Sequence, residues 1–516
     1  MLEAALSALE TLMDPARLLF LAFGVVIGLV VGIVPGIGGL VGLSLMLPFV
    51  LGMDPYNGIA MLIGLQAASL NSDMFTSVLL GVPGSSSSQA TIMDGYPMAK
   101  RGEAARALGA GLTSSMVGGI VGAIVLIGAI FIAGPLILAL GSPELFMLSV
   151  LGLSMVGILS SGSMSLGLLA GSFGLLLGSI GAAPGSPVYR YTFDALYLYD
   201  GLPLVIIALG LFALPEMLDL VVGSTSVARE GKLRGSVRQG MGDMRRNFKL
   251  VMSSSSIGAA VGFIPGLGGS VVDWITYGIA KRTARGADKS FGTGDVRGVI
   301  APESAASAKE GGALIPTVLF GIPGSGSMAI LLGAFLLMGI EVGPRMLDED
   351  LDITYTIIWS LVIANVVATA ICLLFVRQIS KVSLIPGHSL FAILLIVLVV
   401  VAYQSKFSFV DILVFLAVGI VGWLMKQANW PRPPVLIGFV LAGSTERYLH
   451  ISISRYGSEW MVHPLVIVIA CLILALLFAA PIVKHVQARL VAAGQSTSHL
   501  TGRNKRKRDS KESKQS

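Results

Sequence analysis

Val34-Pro35-Gly36-Ile37-Gly38-Gly39 returns 230 residues later as Ile264-Pro265-Gly266-Leu267-Gly268-Gly269. Leu80-Gly81-Val82-Pro83-Gly84-Ser85-Ser86 returns as Phe320-Gly321-Ile322-Pro323-Gly324-Ser325-Gly326, at an offset of 240. Two different motifs repeated in the same order at nearly one offset read as an internal duplication. Around them, apolar stretches of about 20 residues recur from residue 18 to residue 483, each long enough to cross a hydrocarbon core of roughly 30 Å. The 516 residues are 54% hydrophobic and 12% charged, against roughly 25% charged in an ordinary soluble domain, and the mean hydropathy is +0.84. A soluble globular protein is excluded. A β-barrel would show short segments of alternating polarity, whereas residues 390 to 401 are apolar on every face. The expected fold is an all-α polytopic membrane protein.

Flanking charges bear on the orientation of the two copies, because Lys and Arg in short loops set topology. The loop after the first PGIGG element, residues 52 to 58, has no Lys or Arg, while the loop after the second, residues 281 to 297, has five. Lys100, Arg101 and Arg106 follow the first PGSS element; Arg345 and the acids Asp348, Glu349, Asp350 and Asp352 follow the second. Opposite signals at corresponding loops suggest two inverted-topology repeats, a construction used by secondary transporters. Residues 226 to 249 and 281 to 297 are both basic, with one apolar stretch broken by PGLGG between them, so that stretch reads as a re-entrant hairpin turning at flexible glycines.

The expected organisation is a first repeat over 1–225, with a hairpin over 18–51, a broken helix over 59–96 and four helices. A basic cytoplasmic linker occupies 226–249. The second repeat, over 250–450, has a hairpin at 250–280, a broken helix at 300–344 and four helices. An extra C-terminal helix at 461–483 and a basic, disordered cytoplasmic tail at 484–516 complete the chain, giving about eleven crossings plus two hairpins. The tail holds nine Lys or Arg against two acids, so the formal net charge of +6 is that of a cytoplasmic terminus and calls for no nucleic acid. Segment 433–448 looks short, with Pro433 and Pro434 at its start, and Lys406 falls in a loop placed outside. Cys372 and Cys471 read as small buried hydrophobes without a disulfide. Glu3, Glu10 and Asp14 precede the first apolar run, unlike a cationic secretory signal.

Non-helical backbone at membrane depth is tolerated only against protein or a water-filled cavity, so the four Gly/Pro elements are expected to line one. A helix restarting after such a break presents free N–H groups and a positive dipole end, which suit an anion. Neutral hydroxyls in the serine run from Ser85 to Ser88, and at Ser325 and Ser327, can hydrogen-bond carboxylate oxygens. The candidate substrate-binding residues are Pro35, Gly36, Gly38, Gly39, Pro83, Gly84, Ser85, Ser86, Ser87, Pro265, Gly266, Gly268, Gly269, Pro323, Gly324, Ser325 and Ser327. The bland alternatives are glycines used only for helix packing and a serine run in a solvated loop. Ionisable residues at membrane depth are functional candidates by default, and Asn71, Asp73, Asp273 and Glu303 are the candidates for ion coupling. Against this, residues 66 to 73 also read as a polar loop, Glu303, Lys309 and Glu310 as a solvated interfacial cluster, and Asp94 as a membrane-surface residue. No HExxH, CxxC or GxxxxGK[ST] pattern occurs, so neither a catalytic residue, a metal, a cofactor nor direct ATP use is expected.

The string Asp94-Gly95-Tyr96-Pro97-Met98-Ala99-Lys100-Arg101-Gly102, the paired PGxGG elements, and Ala301-Pro302-Glu303-Ser304-Ala305 leading to Gly311-Gly312-Ala313-Leu314-Ile315-Pro316 and Gly321-Ile322-Pro323-Gly324 strongly resemble the large membrane subunit of the tripartite tricarboxylate transporters, over about residues 20 to 480. The resemblance implies a bacterial inner-membrane permease that works with a small membrane subunit and a periplasmic solute-binding protein. It implies uptake of a di- or tricarboxylate or an aromatic acid, driven by Na⁺ or H⁺. Two stretches depart from the family pattern. Residues 66 to 73, Gln66-Ala67-Ala68-Ser69-Leu70-Asn71-Ser72-Asp73, stand where members usually have a Tyr/Gly-rich stretch, and Lys309-Glu310 stand where small residues are usual. The expected function is a carboxylate importer in the lipid bilayer, with alternating access by an elevator-like slide or a rocking motion. The other readings are an intramembrane enzyme using Asp73, Asp94 or Glu303 as acid or base and a scaffold without transport.

Overall fold

The computed structural model describes residues 1–34, 38–137, 140–159, 163–222, 235–267, 269–286, 290–382 and 387–478. Pro35, Gly36, Gly268, part of the basic linker and the basic tail lie outside the described residues. The described chain is almost entirely helical, with one two-stranded ribbon, Gly181–Ala182 paired antiparallel with Tyr189–Arg190.

The first half contains α1 (Leu2–Leu12), α2 (Pro15–Ile33), α3 (Gly38–Val50), α4 (Pro55–Leu79), α5 (Ile92–Lys100), α6 (Ala104–Ile137), α7 (Ser142–Leu159), α8 (Met164–Gly178), α9 (Leu204–Ala208) and α10 (Leu214–Val222). A π-helical turn, Leu209–Ala213, joins the last two. The second half contains α11 (Val237–Arg246), α12 (Phe248–Gly262), α13 (Gly269–Thr283), α14 (Arg297–Phe320), α15 (Gly326–Leu337), α16 (Leu351–Leu374), α17 (Val376–Val382), α18 (Gly387–Gln404), α19 (Phe409–Gln427) and α20 (Pro433–Tyr456). The apolar helix α21 (Pro464–Phe478) follows. Among the described residues α2, α6, α16 and α19 are long and apolar enough to cross a membrane, and several shorter apolar helices accompany them. Polar side chains in α4, among them Gln66, Asn71 and Asp73, and the charges Glu303, Lys309 and Glu310 in α14 keep those two long helices out of that class.

Helix starts follow local chemistry. Asp54 and Asp14 sit before Pro55 and Pro15, and each carboxylate accepts N–H groups of the first turn while the proline occupies a position that needs no donor. Ser408 and Asp411 form a reciprocal capping box on α19. The segment at 433–448 is not short: α20 continues through Tyr456, its two prolines lying at the helix start where they are tolerated. Residues 66 to 73 are helical and buried within α4, so the polar-loop alternative is set aside.

Hairpin α2/α3 and the N-terminus of α4 share one end of the bundle with α16. Arg17 lies 4.9 Å over the Tyr56 ring, and the Tyr56 hydroxyl donates to Asp352. Hairpin α12/α13 belongs to the other end, where Tyr277 of α13 donates to Asp94 at 2.9 Å and Arg101 donates to the carbonyls of Thr293 and Gly294. The two hairpins therefore enter from opposite ends. Glycine seams hold them to their neighbours. A Cβ at Gly24, Gly28 or Gly32 of α2 would overlap the carbonyls of Met61, Leu65 or Ser69 on α4. A Cβ at Gly258 or Gly262 of α12 would overlap those of Ala305 or Lys309 on α14. Close backbone approach of this kind replaces the hydrophobic drive that lipid does not supply between helices. Cys372 is buried in α16, but Cys471 faces outward on α21, because only one stripe of that terminal helix is covered.

Asp94 is not a surface residue; it is fully buried. Besides Tyr277, it accepts the backbone N–H groups of Gly292, Gly294 and Asp295 at 2.8 to 2.9 Å, so α5 is tied to the loop that precedes α14. Beside it, burial works to raise the Asp295 carboxyl, but hydrogen bonds from Arg297 and Ser290 overcome that and hold it below its ordinary value.

Two outcomes follow from this packing. Gly28→Leu should lower the thermal midpoint in detergent by the equivalent of about 1–3 kcal/mol or more of overpacking, while Gly128→Leu, with open space around it, should leave it unchanged; equal midpoints would remove the seam's structural role. Asp94→Asn should speed amide exchange at Gly292, Gly294 and Asp295 about tenfold or more, each lost charge-assisted bond being worth about 1.5–3 kcal/mol. Because the Asp295 carboxyl is depressed in the fold, its contribution is present above its unfolded value near pH 4 and is lost as pH falls through its lower folded value, so the protection of these amides, taken relative to intrinsic exchange at the same pH, should fall on acidification below about pH 4.

Candidate functional site

The two hairpin tips and the two interrupted segments meet at one place. The first tip abuts the first break, with Gly38 beside Gly84 and Ser85. The second tip is hydrogen-bonded to the second break, the Gly266 N–H donating to the Gly324 carbonyl at 2.9 Å. Contacts also cross between the two halves of the chain: a Cβ at Gly269 would overlap Ser87, and one at Gly326 would come within 2.6 Å of Leu40. Around this junction lies a cavity of about 770 Å³, inside the range of roughly 300–1,000 Å³ usual for small-molecule sites.

The cavity wall includes Gly38, Gly39, Pro83, Gly84, Ser85, Ser86, Ser87, Gly266, Gly269, Gly324, Ser325 and Ser327, together with Asp73. Pro265 and Pro323 sit beside it without lining it, and Pro35, Gly36 and Gly268 lie outside the described residues. Three helices begin at this wall: α3 at Gly38, α13 at Gly269 and α15 at Gly326. Each start carries partial positive charge and first-turn N–H groups without intrahelical acceptors.

The two breaks are built differently. After α14, Gly321 takes φ +65° and Ser325 caps α15, its Oγ accepting the Met328 N–H at 3.3 Å. After α4, Gly81 takes φ +69°, but no helix restarts before Ile92. The serine run forms turns instead, with Ser88 N–H donating to the Ser85 carbonyl and Ser87 N–H donating to Ser85 Oγ at 3.0 Å. Hydroxyl-to-backbone bonds of this kind compete with helix formation. Ser87 and Ser88 are buried, so the run is not a solvated loop; Ser86 is exposed to the cavity.

Around the serine loop stand three buried carboxyl groups from three helices, of which Asp73 also lines the cavity. Asp73 of α4 accepts the Ser85 hydroxyl, and Glu303 of α14 accepts the Thr91 hydroxyl at 2.6 Å. Asp273 of α13 is fully buried and neither of its oxygens completes a hydrogen bond, although it sits beside the backbone of Gln89 and Ala90. It lies within electrostatic reach of both Glu303 and Asp73. Asn71 stands apart from the cavity: its Oδ1 accepts from Ser115 at 2.7 Å, and Ser115 lies 2.5 Å from Ser307, so α4, α6 and α14 share one polar junction.

The solvated interfacial cluster expected from Glu303, Lys309 and Glu310 is corrected by their burial; each is at most 4% exposed. Lys309 pairs with Glu310 at 2.7 Å, and the Glu310 partner from across the bundle is Gln66, whose Nε2 donates at 3.2 Å. Sequence spacing gave no signal for Gln66. Nor did it single out the network at the far end of the cavity, where Glu216 accepts Lys426 at 2.6 Å and Arg432 at 3.0 Å. Arg432 also donates to the Leu211 carbonyl, inside the π-helical turn; such turns are frequent at functional sites.

The profile described as the tripartite tricarboxylate transporter TctA family matches residues 18–437. Among curated relatives, an Agrobacterium vitis protein described as an uncharacterized 52.8 kDa protein in the TAR-I ttuC' 3'region is 30% identical over 478 residues, covering 91% of this chain and 95% of that one. A second Agrobacterium vitis protein, from the TAR-II ttuC' 3'region, is 29% identical over 228 residues, 43% of this chain and 94% of its own. No solved structure matches.

Proposed function

We infer the role of this chain from its belonging to the tripartite tricarboxylate transporter TctA family: it is the large permease subunit of a binding-protein-dependent secondary transporter that imports carboxylates across the bacterial inner membrane. Its partners are a small membrane subunit and a periplasmic solute-binding protein, and a Na⁺ or H⁺ gradient drives it. The halves act as inverted repeats, with the basic segments, and hence the C-terminus, on the cytoplasmic side.

The observation that carries this reading is the convergence of the N-termini of α3, α13 and α15 on a serine-lined cavity. Helix N-termini supply N–H donors and roughly half a positive charge each. Together with the hydroxyls of Ser85, Ser86, Ser87, Ser325 and Ser327 they can hydrogen-bond carboxylate oxygens, while the cations that line the cavity, Lys309, Lys426 and Arg432, are each paired with an acid, which suits a carrier that must release its cargo. The hairpin tips, packed on these breaks from opposite ends, alternately open the cavity to each side.

Coupling is carried by the loop at residues 85–91. Its Ser86 and Ser87 face the cavity, while its Ser85 and Thr91 hold Asp73 and Glu303. A cation or proton arriving among Asp73, Asp273 and Glu303 relieves the repulsion of three clustered carboxylates and fixes the loop that binds substrate. Substrate in turn favours that ordered loop, so each raises the affinity for the other by the same factor.

Proteoliposomes holding this chain and its small partner, with the binding protein outside, should accumulate one of a set of radiolabelled di-, tri- and aromatic carboxylates only under one imposed gradient, Na⁺ or H⁺. Asp273→Asn should reduce the effect of that ion on half-saturating carboxylate by about 5- to 150-fold, with carboxylate exchange across the membrane retained. Uptake that ignores both gradients, or an Asp273→Asn variant with undiminished ion dependence, would sink the coupling scheme.

A further inference from the structure

Lys309 and Glu310 are adjacent on α14, and neighbours in a helix do not face each other. Here the two side chains nevertheless close on one another, Nζ to Oε1 at 2.7 Å, at 5% and 4% side-chain exposure. Both line the cavity, and so does Gln66. Gln66 donates to the second Glu310 oxygen, which occupies that carboxylate on both sides, while the Gln66 Oε1 has no hydrogen-bond partner. The ammonium of Lys309 has three N–H donors, of which Glu310 takes one.

A buried ion pair is weak evidence for stability, because desolvating two charges offsets much of their attraction. A pair of this kind at the wall of a cavity, with donors to spare, is better placed to bind than to brace. Resting on the carboxylate-importer reading above, we propose that Lys309 is the substrate-carboxylate receptor of the cavity and that Glu310, held by Gln66, is its resident counter-ion. Substrate docks on the two unused Lys309 donors. In the empty carrier Glu310 leaves the site with no net charge, so the hairpins return without moving an unpaired cation through the bundle. Gln66 Oε1, an acceptor beside the pair, receives a hydroxyl or N–H donor of the same ligand.

The two partners then affect transport in opposite directions. In the reconstituted full chain with its small partner and binding protein, uptake of succinate, citrate and benzoate is measured against concentration. For whichever of these wild type accumulates, Lys309→Gln should raise the half-saturating concentration about ten- to a hundredfold, the worth of a charge-assisted hydrogen bond to a carboxylate. Glu310→Gln should lower it and slow the maximal rate, because the empty return now carries an unpaired lysine. Lys309→Arg should rescue most of the affinity. The double variant Lys309→Gln with Glu310→Gln, which buries no charge and so guards against misfolding, should keep the weakened affinity of Lys309→Gln. A brace would shift melting temperature in all variants and half-saturation in none, and that result, or half-saturation moving the same way in Lys309→Gln and Glu310→Gln, would overturn the assignment. Failure of wild type to accumulate any of the three would instead overturn the importer reading on which it rests.

Discussion

A backbone N–H or C=O inside an apolar bundle needs a partner, and leaving one unpaired there costs several kcal/mol. Four interruptions of helix at the centre of this chain would be untenable if they were scattered. Gathered at one junction, they satisfy part of the demand among themselves, as Gly266 does with Gly324 and Ser87 does with Ser85. What remains is directed at one cavity. The site is thus where the fold's unmet hydrogen bonding collects, and the proposal that it takes an anion rests on the kind of groups left over, which at helix starts are donors.

The same constraint explains the glycine seams. Tips can meet only if the hairpins lie close against α4 and α14, and Gly24, Gly28 and Gly32 on one side and Gly258 and Gly262 on the other bring the backbones into contact. Any Cβ along these seams would lift a tip away from the break it packs on. Asp94 fixes the other end of the assembly: its carboxylate gathers three loop amides and a tyrosine, and so binds the segment after the first break to the loop that leads into α14.

Composition and repetition make the helical membrane character and the two pairs of Gly/Pro elements readable from sequence, because those depend on local chemistry and on order along the chain. What is not readable depends on partners far away in the chain. Lys309 and Glu310 look like a solvated cluster until Gln66, 244 residues from Glu310, is seen to join them. Asp94 looks like a surface acid until the amides of residues 292 to 295 are folded over it. The first break looks like its counterpart after α14, yet its four serines turn the backbone in place of a new helix; one PG pattern has two outcomes because hydroxyls at Ser85 and Ser88 compete for the N–H groups.

The distribution of charge around the cavity has its own logic. Around the 85–91 loop three carboxyl groups lie within electrostatic reach of one another, Asp73 also lining the cavity, and the loop's Ser85 and Thr91 hydroxyls donate to Asp73 and Glu303. On the cavity side Lys309, the one cation among the described residues that is almost fully buried, is already neutralised by Glu310, and Lys426 and Arg432 pair with Glu216. Among the described residues the three carboxyl groups make no ion pair with Lys or Arg, whereas the cations at the cavity wall are already paired. A cation bound behind the loop and an anion bound in front of it would each reduce the field that opposes moving the other through a low-dielectric bundle. Joint occupancy or joint vacancy then moves more cheaply than either ion alone, which is the energetic condition that the proposed symport requires of the serine loop between them.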